Sequence, residues 1–203
     1  MKKIILLFIF ILVTIAGLNC SAYKAIVNLS RLKFKIGSIS NVRLAGVSLE
    51  GKRNIHDFSS LEELKLYASF ARKSFPLTLT VNIEAKNPND GTGESTRTDA
   101  KIISFPWRLF IDNKQTVTGN IGSEVTVPGT GETTTIPLNA SIDLAQFFKD
   151  KNYEGIINLA LNIMGRGTSP SNITLYAQPT VSTELGNIKY PDEIKIINLE
   201  YSK

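Results

Sequence analysis

From Leu77 to Lys86 apolar and polar residues alternate without a break: Leu77, Leu79, Val81, Ile83 and Ala85 against Thr78, Thr80, Asn82, Glu84 and Lys86. A strict two-residue period places all five apolar side chains on one face of a strand, so the rest of the chain must supply a layer to cover that face. The period returns at Ile136, Leu138, Ala140, Ile142 and Leu144, set against Pro137, Asn139, Ser141 and Asp143. It returns again at Phe105, Trp107, Leu109 and Ile111, where Pro106 marks an edge or a bulge. Two earlier strands are predicted on Leu32, Phe34 and Ile36 and on Val42, Leu44, Val47 and Leu49. A sixth falls on Val125 and Val127, and a seventh over Thr174 to Val181. Turn signals stand between them at Asn89-Asp90-Gly91, Asp112-Asn113, Pro128-Gly129 and Gly186-Asn187. Many short strands with such turns predict a mainly β fold, an antiparallel sandwich of the fibronectin III or immunoglobulin-like kind.

One or two helices are added to it. Ser60 and Glu63 have capping-box spacing, in which each side chain satisfies a backbone donor at the helix start. Leu61, Leu64, Tyr67, Ala68 and Ala71 follow at helical spacing, Arg72 and Lys73 suit the C-terminal end, and Pro76 blocks continuation. Asp143 to Lys149, with Ala145, Phe147 and Phe148, opens a second short helix. Tyr153 to Met164 fits either period and is assigned to a helix.

The N-terminus is of a different kind. Lys2 and Lys3 precede an apolar run from Ile4 to Ala16, interrupted only by Thr14, and then comes Cys20, the only cysteine. This is the layout of a secretory signal peptide, and the run is shorter than the roughly 20 apolar residues of a transmembrane helix. With Cys20 at the cleavage point it resembles a bacterial lipoprotein signal. The box Gly17-Leu18-Asn19-Cys20 is a relaxed one: Leu18 lies one place late, and Asn19 replaces a small residue. The resemblance implies a signal over residues 1–19, a tether over 20–24 lipidated at Cys20, and a folded domain over 25–203. Two or three acyl chains, at about 0.8 kcal/mol per buried CH₂, would hold such a protein on a membrane outside the cytoplasm. Ser21, in place of Asp, directs it by the same resemblance to the bacterial outer membrane.

Composition narrows the functions. Without Lys2 and Lys3 there remain 21 basic residues against 18 acidic ones, a mild and dispersed surplus that argues against nucleic acid as a partner. One cysteine permits no intramolecular disulfide. With His56 as the only histidine, a zinc site is disfavoured. His56 would also have to serve any Ser/His/Asp triad, yet it sits in the polar stretch Lys52-Arg53-Asn54-Ile55-His56-Asp57, and no G-x-S-x-G elbow occurs. Asn87-Pro88-Asn89-Asp90-Gly91 departs from a calcium loop at its first, second and twelfth places. Gly165-Arg166-Gly167 and Gly91-Thr92-Gly93 lack the downstream pattern of phosphate loops. No catalytic, metal or cofactor residue is therefore assigned.

The alternating strand ends in Asn87-Pro88-Asn89, and a second strand over Ile102 to Ile111 follows. Val127-Pro128-Gly129 then leads into a long strand ending at Leu144, and another strand lies near Ile173 to Val181. This order resembles the late-embryogenesis-abundant type 2 family, also called the WHy domain. The resemblance spans roughly Leu32 to Ile196, and the helical stretch from Ile55 to Phe75 is an addition to it. It implies a folded β-sandwich with a non-enzymatic role linked to dehydration or envelope stress. The N-P-N reads as a structural turn motif: Pro88 drives Asn87 out of the helical region, and the Asn side chains bond nearby backbone.

The reading that follows is a lipid-anchored, non-enzymatic envelope protein, held to the membrane by its N-terminal lipid and acting by binding or protection. An envelope protein or a glycan is the expected partner. The alternative is a periplasmic carrier of an apolar ligand such as a lipid, lined by Tyr67, Phe70, Phe75, Phe147 and Phe148.

Overall fold

The computed structural model describes residues 32–92, 97–166, 171–183 and 186–197. The expected signal and tether, with Cys20, lie outside them. Among the described residues twelve strands form three hydrogen-bonded sheets of four strands each, all pairings antiparallel. The first sheet has the order β2-β1-β3-β8: β1 is Lys33–Leu44, β2 Val47–Ser48, β3 Pro76–Lys86 and β8 Thr133–Asp143. β3 and β8 pair residue for residue from Pro76 with Asp143 to Lys86 with Thr133. All five apolar residues of the β3 alternation are buried, as are Ile136, Leu138, Ala140 and Ile142 across from them.

The covering layer is one sheet bent into two. β4 (Ala100–Ser104) and β5 (Trp107–Ile111) are successive stretches of one path, interrupted at Phe105-Pro106. β9 (Ile173–Ala177) and β10 (Thr180–Thr183) are likewise interrupted at Gln178-Pro179. The two interruptions meet, because Gln178 N–H donates to the Pro106 carbonyl at 3.0 Å. On one side of this crease lie β11-β10-β4-β7, with β7 at Val125–Val127 and β11 at Gly186–Lys189. On the other lie β12-β9-β5-β6, with β6 at Lys114–Gly119 and β12 at Ile194–Ile196. The sequence reading of a single strand over Thr174 to Val181 is corrected here: proline cannot donate to the ladder, so Pro179 ends one run and the next begins after it. Ile36 N–H donates to the Ile197 carbonyl at 2.9 Å, and β8 lies beside β6 and β7, so the layers meet along both edges. The fold is an antiparallel β-sandwich with added helices.

The two early strands predicted for residues 32 to 49 are mainly one. β1 runs through from Lys33 to Leu44 with two one-residue bulges against β3, between Ile36 and Ser38 and between Ser40 and Arg43. Each bulge flips the inward face. Phe34 and Ile36 face the core, then Ile39 opposite Val81, then Val42 and Leu44. Asn41 takes the left-handed φ of 53° that the second bulge requires.

The helices gather at one end. α1 (Ser60–Ala71) crosses from β2 to β3, after a 3₁₀ turn at Ile55–Asp57. Its cap lies one residue earlier than the predicted pair: Ser59 Oγ accepts from Glu62 N–H, and Glu62 Oε2 accepts from Ser59 N–H at 2.8 Å. Its end closes by a Schellman pattern, Lys73 N–H to Phe70 and Ser74 N–H to Ser69, with Lys73 at φ 56°. α2 (Leu144–Phe147) is capped by Asp143. α3 (Tyr153–Ile163) is buried on Ile156, Ile157, Leu159, Ala160, Leu161 and Ile163.

Candidate functional site: two opposite poles

The ladder register sorts the loops. Lys33 faces Lys86, which faces Thr133, so the first described residue, Leu32, leaves the sandwich beside the N-P-N segment. Leu44 faces Leu77 and Pro76 faces Asp143, so α1 and α2 sit at the opposite end. Between them runs the eleven-residue β3, about 33 Å at a strand's rise of roughly 3.3 Å per residue.

At the N-P-N pole Asn87 is fully buried and Asn89 nearly so. Asn87 Nδ2 donates to the carbonyls of Thr98 at 2.8 Å and Val127 at 3.1 Å. Its Oδ1 accepts from Asn89 N–H at 3.1 Å and from Asn89 Nδ2 at 2.9 Å. One amide thus spends all its capacity on joining the end of β3, the following loop and the end of β7. The Asp90 carboxylate closes its own turn by accepting from Thr92 N–H and Oγ1. Gly129 passes so close that a Cβ there would lie 2.5 Å from the Asn89 carbonyl.

The helical pole differs in chemistry. Tyr153 contacts the rings of Tyr67, Phe70 and Phe75, at centroid distances of 6.0, 5.6 and 6.3 Å. Phe75 is fully buried and Phe148 is core; Phe70 and Phe147 are half-buried. Of the residues named for an apolar ligand, Tyr67, Phe70 and Phe75 therefore pack on Tyr153 rather than around a space, while Phe147 carries its carbonyl to the Lys114 ammonium.

The apolar set of α1 does not face the core. Leu66 and Ser69 are its buried residues, while Leu61, Leu64 and Tyr67 are 64%, 63% and 62% exposed. Helical spacing alone could not reveal this, because it defines a stripe but not its direction.

His56 is exposed in the 3₁₀ turn. Asp57 beside it is engaged elsewhere, accepting from Arg53 N–H at 2.7 Å and Asn54 N–H at 3.1 Å. These two amides hold its carboxyl below the usual range. Glu62 is lowered further, from 4.5 to about 2, first by the Lys52 ammonium at 2.8 Å and then by Ser59 N–H. Gly51, Arg53 and Arg166 line an open hollow of about 280 Å³ at the same pole. Among the described residues no group of three or more His, Cys, Asp or Glu is placed to hold a metal ion, and no helix is long and apolar enough to cross a membrane.

No family model matches the chain, and no curated protein does. Solved structures similar to it include a candidate late embryogenesis abundant (LEA) protein, at 16% identity and a TM-score of 0.38, covering 92% of this chain and 85% of that one. A protein from Archaeoglobus fulgidus is similar at 10% identity and a TM-score of 0.32, covering 78% and 96%. A protein from Arabidopsis thaliana is similar at 12% identity and a TM-score of 0.33, covering 81% and 83%. At these scores none of the three assigns the chain to a family or a function.

Proposed function

We propose that this protein is a lipid-anchored, non-enzymatic component of the cell envelope, tethered through Cys20 and acting by binding or protection. The observation that carries the proposal is Cys20 itself, the only cysteine, placed directly after an apolar signal run. The fold supports it, since the chain enters the sandwich at the N-P-N pole and leaves the helical pole free of the tether's point of attachment. The order of segments around Asn87-Pro88-Asn89 supports a protective, stress-linked role of the late-embryogenesis-abundant type 2 kind. An envelope protein or a glycan fits as the bound partner.

Mass spectrometry of the N-terminal peptide from the native membrane fraction tests the anchor. A peptide beginning at an acylated Cys20, with the Cys20→Ser protein released from that fraction, is the expected result. An unmodified N-terminus at any other residue would overturn it.

A further inference from the structure

We infer that the outward stripe of α1 is a docking surface for an anionic lipid bilayer. Leu61, Leu64, Ala68 and Ala71 recur at a helical period on the side away from the buried Leu66 and Ser69, with Tyr67 beside them. Lys65 and Arg72 flank one side of this stripe, Glu63 lies on the other, and Lys73 follows the helix end. None of the three cations forms an ion pair among the described residues. Leucines with a tyrosine and basic flanks are the chemistry of a helix lying in a lipid headgroup layer.

Two other occupants fit less well. Three side chains expose a few hundred Å² of apolar surface, whereas each side of a stable protein interface buries about 600 Å² or more. A second copy packed antiparallel on α1 would set the Lys65 and Arg72 flank against itself. A bilayer needs no large area when a tether already holds the protein beside it, because docking is then intramolecular. The inference rests on the anchored reading for this gain.

The test uses the full lipidated protein carrying Tyr67→Trp, reconstituted in phosphatidylglycerol vesicles containing brominated lipid. Buried Trp107, the only native tryptophan, serves as the internal reference. Loss of emission from the added indole is expected, restored by Leu61→Lys with Leu64→Lys and reduced in phosphatidylcholine. Both leucines are exposed, so these changes spare the core. Vesicle-bound protein with unquenched emission overturns docking while leaving the anchor intact. Protein that fails to sediment with vesicles overturns both. A concentration-dependent blue shift without vesicles makes the surface an interface between copies and overturns the lipid assignment.

Discussion

Asn87 Nδ2 donates a hydrogen bond of 3.1 Å to the carbonyl of Val127, forty positions along the chain, with neither residue exposed to solvent. The bond ties the end of β3 in one layer to the end of β7 in the other. Asn87→Ala would strand this carbonyl and the buried Asn89 N–H together, at a cost of about 2–4 kcal/mol. Asn87→Asp is expected to cost more, since a carboxylate would face two acceptors. Urea unfolding of the three proteins measures both.

Gly119 lies flat against the indole of Trp107. A Cβ there would fall 2.5 Å from Cζ2, so Gly119→Ala has to displace the ring. Overpacking of this kind costs about 1–3 kcal/mol. Because Trp107 is the only tryptophan, the displacement is expected as a changed emission spectrum alongside a lowered unfolding midpoint. An unchanged spectrum would place the relaxation in the β6 backbone instead.

Acid should loosen the start of α1. The Glu62 carboxylate is held down to about 2 from 4.5, so the folded state prefers its ionised form. The resulting stabilisation is fully present above about pH 4.5 and is lost as pH falls toward about 2. Asp57, lowered by Arg53 and Asn54 N–H, changes in the same direction. Thermal midpoints across this window should fall more steeply for the wild type than for Glu62→Gln, which has no charge to lose.

The β5–β6 hairpin turns on Asp112 and Asn113, at φ 49° and 64°, with Ile111 facing Lys114. Both central residues sit in the left-handed region, the requirement of a type I′ turn, for which Asp-Gly is a preferred pair. Asn113→Gly is expected to stabilise by about 0.5 kcal/mol. Asp112→Ala is expected to destabilise, because Asp112 Oδ1 also accepts from Asn172 N–H at 2.9 Å. Thermal denaturation of the two variants should move in opposite directions.

Where one face of a strand is buried and its partner runs in continuous register, the fold was legible in residue order. Leu77 to Ala85 and Ile136 to Ile142 are the clearest cases. Ile39 was not, because two bulges invert the inward face between Ile36 and Val42, and a fixed period of two skips it. The cap expected at Ser60 and Glu63 falls instead at Ser59 and Glu62, a pair with the same spacing one residue earlier. The strands over 114–119, 186–189 and 194–196 carry few buried residues, so their alternation is faint. At the helical pole the residues of α1 were named, but which side they turned outward depended on Leu66 finding the core, a tertiary fact. The Gly51, Arg53 and Arg166 hollow joins residues more than a hundred positions apart, and no local pattern signals it.

The crease at Pro106 and Pro179 bears on how such molecules crowd. An unbroken covering sheet would expose long, straight rows of unpaired amides and carbonyls, which recruit the strands of neighbouring molecules. Split at the two prolines, its margins become β7, β11 and β12, of three, four and three residues, and the six-residue β6, which lies beside β8. Among the described residues β7, β11 and β12 are too short to start a cross-molecular ladder. A covering layer with margins this short gives the strands of neighbouring copies little to pair with.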